Sequence, residues 1–208
     1  MKFYLSSYNI PTPDSLIKLI NKPAIETNVG IILNARDYYS NHVRIVRSKK
    51  IFDYLNNIGF NVSEVDLRNY NNPLILKTEL MKYDLLWVCG GNTFVLREAM
   101  KNSGLDQIIK DVLESGVVYG GDSSGAVVTE NSIKDIEIAD QPEFAKNIIW
   151  DGLGLIDKFI IPHIDSPDPN MQTAIQKIIQ LHKDDPKVVL LKDNQALIID
   201  NQRAYIDG

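Results

Sequence analysis

The sequence predicts an α/β fold: a mostly parallel central sheet with helices on both faces, a three-layer α/β/α sandwich closed by short C-terminal β strands. Three observations carry this. Apolar runs of strand length alternate with amphipathic segments of helix length, the order that yields parallel strands joined by crossover helices. The runs "NVGIILNA" (28–35) and "DLLWVCGG" (84–91) are almost continuously apolar, as strands covered on both faces are. Near the C-terminus "KVVLL", "ALIID" and "RAYID" read as short strands, the last two spaced as a hairpin.

Taken in order, "KFYLSSY" is a first strand and "PDSLIKLINK" a short helix entered through Pro13 and Asp14. After the strand at 28–35, Val43, Val46, Phe52, Leu55 and Ile58 recur at helical spacing, and Gly59 ends that helix. "FNVSEVDL" alternates as a strand, and a short helix leads to the strand at 84–91. Helices "NTFVLREAM" and "LDQIIKDVLES" and the strand "GVVYGG" follow. Beyond Glu130 "NSIKDIEIADQPEFAKN" reads as a long polar connection, a length associated with functional or mobile loops. "LIDKFIIPHID" is then a further strand, and "NMQTAIQKIIQLH" a helix with Met171, Ile175, Ile178 and Ile179 on one face. No repeat, low-complexity tract or linker interrupts residues 1–208, which are expected to form one domain.

The 208 residues are 44% apolar and 24% charged, an ordinary globular composition. A net charge of -5 argues against a nucleic-acid binder. The one basic stretch, "HVRIVRSKK" (42–50), reads as a solvated helix face. Cys89 is the only cysteine, so no internal disulfide can form, and a reducing, cytoplasmic setting is expected. The N-terminus lacks a signal-peptide pattern, and no run approaches the roughly 20 apolar residues of a membrane span. The three histidines are scattered without ligand spacing, so neither a metal nor another cofactor is expected.

Three strand ends carry candidate chemistry, since ligands of open parallel sheets lie beyond the carboxyl ends of the strands. "GGDSSGA" (120–126) fits G-x-S-x-G, in which the serine occupies a tight strand-to-helix turn flanked by small residues. That reading makes Ser123 the nucleophile and gives the Ser124 N–H to an oxyanion. Taking Ser124 as nucleophile fits worse, because Asp122 and Ala126 would then hold the small positions. A glycine-rich turn with Ser123 or Ser124 merely capping a helix is the alternative. "CGGN" (89–92) opens a helix whose free N–H groups favour a developing anion. Gly91 is the expected donor, with Gly90 and Asn92 beside it. A phosphate-binding turn is the rival, but the spacing matches neither a P-loop nor a dinucleotide fingerprint. Cys89 is read as a small core residue. Of the histidines, His163 in "PHID" alone stands at a strand end, as a catalytic base or as a residue satisfied locally by Asp165. His42 has no evident partner, and His182 reads as structural, at a helix C-terminus.

In their order and spacing, "VCGGNTFVL", "GGDSSGAVV" and "FIIPHID" resemble the dipeptidase E (aspartyl dipeptidase) family of serine peptidases, whose fold is similar to that of class I glutamine amidotransferases. The likeness covers residues 80–200 well and the rest only by element order. It implies a Ser–His site cleaving a small peptide near its N-terminus. A monomer or homodimer is expected, the sequence itself not choosing between them. By position Ser123 matches the nucleophile, His163 the base, and Gly91 and Ser124 the oxyanion donors. The orienting acid is Asp193 in "LLKDNQAL", which is favoured, or Asp140 in "IADQP". Three departures stand out. "IDSPDPNMQTAIQK" lacks the arginines with which the family holds an aspartate side chain, so strict Asp–X specificity is not expected. Asp122 precedes the nucleophile, facing away or meeting a substrate ammonium. Ser124 replaces an alanine, which leaves its backbone donor intact. A small-molecule esterase or amidase, and a non-catalytic binding protein on the same fold, are the competing functions.

Overall fold

The computed structural model describes residues 1–201 and 203–208. Seven strands form one sheet in the order β3-β2-β4-β5-β1-β8-β9. These are β1 (Lys2–Ser6), β2 (Asn28–Ile32), β3 (Asn61–Glu64), β4 (Leu85–Val88), β5 (Val118–Asp122), β8 (Ala196–Asp200) and β9 (Arg203–Asp207). The five strands from β3 to β1 run parallel, and the antiparallel β8–β9 hairpin extends that sheet beyond β1.

Alternation along the central strands divides the core. Leu85 and Trp87 of β4 join Tyr4, Ile31 and Val118 beneath α1 (Pro13–Ile20) and α2 (Asn41–Ile58), against Leu16, Ile51 and Leu55. Leu86 and Val88 point the other way, with Leu5, Ile32 and Tyr119 beneath α3 (Pro73–Leu80), α4 (Thr93–Ser103) and α5 (Leu105–Glu114). Both sheet faces are therefore sealed, which explains why the central strands read as unbroken apolar runs. Helix ends follow local chemistry. Pro13 and Pro73 occupy first turns, while Gly59 and Gly104 stop α2 and α4 at φ 104° and 76°.

The structure departs from the sequence reading in three places. The strand before His163, β6 (Phe159–Ile161), lies outside the main sheet and pairs in parallel with β7 (Val188–Leu190). Its Ile161 packs under α7 (Pro169–Leu181) against Ile175 and Ile178, a small core of its own. The strand read in "FNVSEVDL" stops at Glu64, and the Asp66 carboxylate then accepts the Arg68 N–H to start a turn. The polar connection after Glu130 is anchored, with Ile133, Ile136 and Ala145 buried against Phe94 and Val127.

Candidate active site

At the end of β5 the chain turns directly into the four-residue helix α6 (Ser124–Val127). A Cβ on Gly121 would lie 2.6 Å from the Gly125 carbonyl oxygen, and a Cβ on Gly125 would overlap the Val88 carbonyl. Strand and helix backbones touch there, so both positions must be glycine. Between them Ser123 is held at φ 51° and ψ -116°, a strained conformation for a non-glycine residue. Ser123 stands at the N-cap of α6, yet its side chain caps nothing. Its Oγ lies 2.9 Å from Nε2 of His163 instead.

His163 follows β6, also at positive φ (61°). Its Nδ1 is 2.7 Å from Oδ1 of Asp193. Ser7, at the carboxyl end of β1, binds both residues: its Oγ accepts the His163 N–H at 2.7 Å and donates to Asp193 Oδ1 at 2.9 Å. Sequence reasoning missed Ser7, although two serines closing a buried strand were a visible signal. Asp165 is not the local partner of His163; its Oδ1 accepts the Asp193 N–H at 2.8 Å.

Asp140 has other partners. Its Oδ2 accepts the Thr93 N–H at 2.8 Å and the Thr93 hydroxyl at 2.5 Å. Burial pushes its carboxyl above the usual range, against the Thr93 bonds and the nearby His163. Asn92 does not present its side chain as a binding group. Its Oδ1 caps α4 by accepting from Phe94 and Val95, and its Nδ2 donates to the Gln141 carbonyl. Gly90 and Gly91 pass close to other chain segments: a Cβ on Gly90 would lie 2.9 Å from that of Ser123, and one on Gly91 would overlap the Ala35 carbonyl. The Gly91 N–H points at Ser124 Oγ at 3.3 Å, and that hydroxyl donates to the Gly91 carbonyl at 2.9 Å. The Ser124 N–H, first in α6, has no acceptor within its own helix. Cys89 is buried, and burial raises its thiol far above the ordinary range.

The model of peptidase family S51 matches residues 41–206. The chain belongs to peptidase family S51. It is a serine peptidase on an α/β fold with a mostly parallel sheet. It is 31% identical to the uncharacterized peptidase Lmo0363 of Listeria monocytogenes, over 70% of each chain. To the Peptidase E of Streptomyces coelicolor it is 27% identical, over 69% of this chain and 60% of the relative. A crystal structure of a candidate peptidase E protein from Listeria monocytogenes matches at TM-score 0.80 and 24% identity, covering 99% of this chain and 97% of the other.

In this S51 peptidase Ser123 and His163 stand where two cavities meet. The smaller, ≈ 40 Å³, is walled by Val127, Ile136, Ile161, Met171, Ile175 and Ile178, with Asp140 and Thr93 also lining it. The larger, ≈ 800 Å³, opens toward α2 and carries Arg36, Arg47 and Lys50 together with Tyr38, Tyr39 and Tyr54. The stretch read as a solvated basic helix face thus contributes two cations to the cleft, while its Arg44 and Lys49 pair with acids. His182 ends α7, stacks on Phe159 at 4.0 Å and lies 3.2 Å from Asp135. His42 is exposed on α2. Among the described residues no cluster of three or more His, Cys, Asp or Glu could hold a metal, and no helix is long and apolar enough to cross a membrane.

Proposed function

We propose that this peptidase hydrolyses short peptides near their N-terminus through Ser123, His163 and Asp193. The observation that carries the reading is the continuous hydrogen-bond chain from Ser123 Oγ through both ring nitrogens of His163 to Asp193, with spacings of 2.9 and 2.7 Å. His163 Nε2 takes the Ser123 proton as Oγ attacks the scissile carbonyl carbon. Asp193, accepting from Nδ1, fixes the tautomer and stabilises the imidazolium that forms. The oxygen that becomes anionic is held by the backbone N–H groups of Ser124 and Gly91, the latter exchanging its long contact with Ser124 Oγ for the stronger charged acceptor. His163 then protonates the departing amine, and water, activated by the same ring, frees Ser123.

Substrate preference follows from the smaller cavity. Its ≈ 40 Å³ exceeds the ~10–15 Å³ one water occupies and falls far short of the ~300–1,000 Å³ of a drug-sized pocket. No cation lines it. A small apolar side chain beside the scissile bond therefore fits, and an aspartate there would lack a charged partner. The test is a mixed di- and tripeptide digest read by mass spectrometry, comparing wild type with Ser123→Ala. Loss of cleavage in the variant, with Ala–X products dominant and Asp–X peptides spared in the wild type, is the expected result. Equal products from both proteins would overturn the assignment of Ser123, and preferential Asp–X cleavage would overturn the specificity.

A further inference from the structure

The cations of the larger cleft are arranged differently from their neighbours. On α2, Arg44 is bonded to Asp37 and Glu64, and Lys49 to Asp53. The three that line the cleft, Arg36, Arg47 and Lys50, make no ion pair among the described residues. Arg36 is held in place by neutral acceptors. Its Nε donates to the Gly90 carbonyl at 3.1 Å and its Nη1 to the Arg47 carbonyl at 3.0 Å. Arg47 lies 4.4 Å over the Tyr39 ring and donates to the Tyr39 hydroxyl at 2.7 Å.

Two guanidinium groups are therefore oriented without an ion-pair partner among the described residues, one of them bonded to the glycine turn beside Ser123. The cleft's own acids form no direct ion pair with them, although Arg36 is close enough to oppose the upward push of burial on the Asp122 carboxyl. Asp122 is 5% exposed with Oδ1 lacking any partner, and Asp140 is committed to Thr93. A guanidinium fork prepared in this way matches a planar carboxylate, for which its N–H donors are spaced. An aromatic rim in which the Tyr38 ring packs, tilted, against Tyr39 at 4.0 Å and Phe144 at 4.9 Å borders the same cleft, where it can exclude water and strengthen the charged contact.

We propose that Arg36, Arg47 and Lys50 form a carboxylate-binding wall for a peptide lying at Ser123, taking either its free C-terminal carboxylate or an acidic side chain remote from the scissile bond. The proposal rests on the peptidase reading only in taking the ligand to be a peptide.

Calorimetric titration of Ser123→Ala reads binding without turnover. The probes are Ala-Ala-Ala, its C-terminal amide, Ala-Asp-Ala amide and Ala-Asn-Ala amide. The wall predicts that the free acid binds about tenfold more tightly than its amide, or that the aspartyl amide binds about tenfold more tightly than the asparaginyl one. The first outcome identifies the terminal carboxylate as ligand, the second a side chain. Adding Lys50→Gln or Arg36→Gln to Ser123→Ala should shrink the gap to about twofold or less. Lys50 is exposed, so its variant carries the test even if Arg36→Gln loosens α2. Equal binding within both pairs, no binding at all, or a gap unchanged by both substitutions overturns the wall. Wild-type turnover of the same peptides separates the two claims. Cleavage without carboxylate preference leaves the peptidase reading and removes the wall, and carboxylate binding without cleavage does the reverse.

Discussion

Asp193 and Asp140 both lie near His163, and they differ in which atoms their carboxylates already engage. Asp193 bonds Nδ1 of the ring, whereas Asp140 bonds Thr93 at the start of α4. Asp193→Asn should therefore lower kcat by about 10⁴-fold, because an amide N–H facing Nδ1 leaves the proton on the nitrogen that must accept from Ser123. Asp140→Asn should cost about tenfold at most, the value of one hydrogen bond at a residue that shapes the pocket without touching the ring. Steady-state kinetics on both variants decides, and equal losses would remove Asp193 from its special position. Ser7 belongs to the same comparison. Its hydroxyl fixes the His163 backbone and one Asp193 oxygen, so Ser7→Ala should reduce kcat by about ten- to a hundredfold with KM little changed. A structural role alone would lower thermal stability without that split between kcat and KM.

The turn from β5 into α6 is where element geometry was most legible. The small residues around Ser123 could be read from spacing because the constraint is steric and local: a side chain at Gly125 has nowhere to go but into the Val88 carbonyl. Gly125→Ala should accordingly lower Tm by roughly 2–4 °C per kcal/mol of a ~1–3 kcal/mol overpacking cost. It should also reduce activity, because Val88 leads straight into the Cys89–Gly91 turn. Calorimetry and a peptide assay on that variant check both, and an unchanged Tm would mean the helix can move away freely. Contacts between distant segments were less legible. The three residues of β6 read as one more strand of the sheet, since an apolar triplet does not reveal its hydrogen-bond partner. Ser7 closes a strand more than 150 positions from His163, and nothing in local pattern joins them. Arg47 and Lys50 looked like a solvated face because helical periodicity describes one helix and not the cleft that α2 borders.

Across the whole molecule, carboxyls shifted in opposite directions contribute to the response to pH. Burial raises Glu130 well above the usual carboxylate range, against its bond from the Ile160 N–H at 2.6 Å, and raises Asp122 as well. A group whose folded pKa is raised holds its proton more tightly in the native state. The stability it contributes is complete below its unfolded value and is lost as pH climbs through its folded value. Asp66 behaves oppositely. Burial alone would raise it, but bonds from Arg68 and Asn34 outweigh that and bring it down to about 2, so its stabilisation is present above the unfolded value and vanishes as pH falls toward about 2. The two effects together predict a Tm that is highest in mildly acidic solution and declines on both sides. Glu130 is the group to change, because it is 1% exposed and its Oε2 has no partner. Glu130→Gln keeps an acceptor for the Ile160 N–H and removes the ionisation. Its Tm should exceed the wild-type value at about pH 8 and approach it at about pH 5, as the wild-type residue takes up its proton. Since Ile160 lies in the strand that leads into His163, the same variant should also retain its activity, whereas Glu130→Leu, which loses the acceptor, should not. Parallel Tm curves for wild type and Glu130→Gln across that range would show that the carboxyl ionises without cost, and that solvent reaches Glu130 in the folded protein.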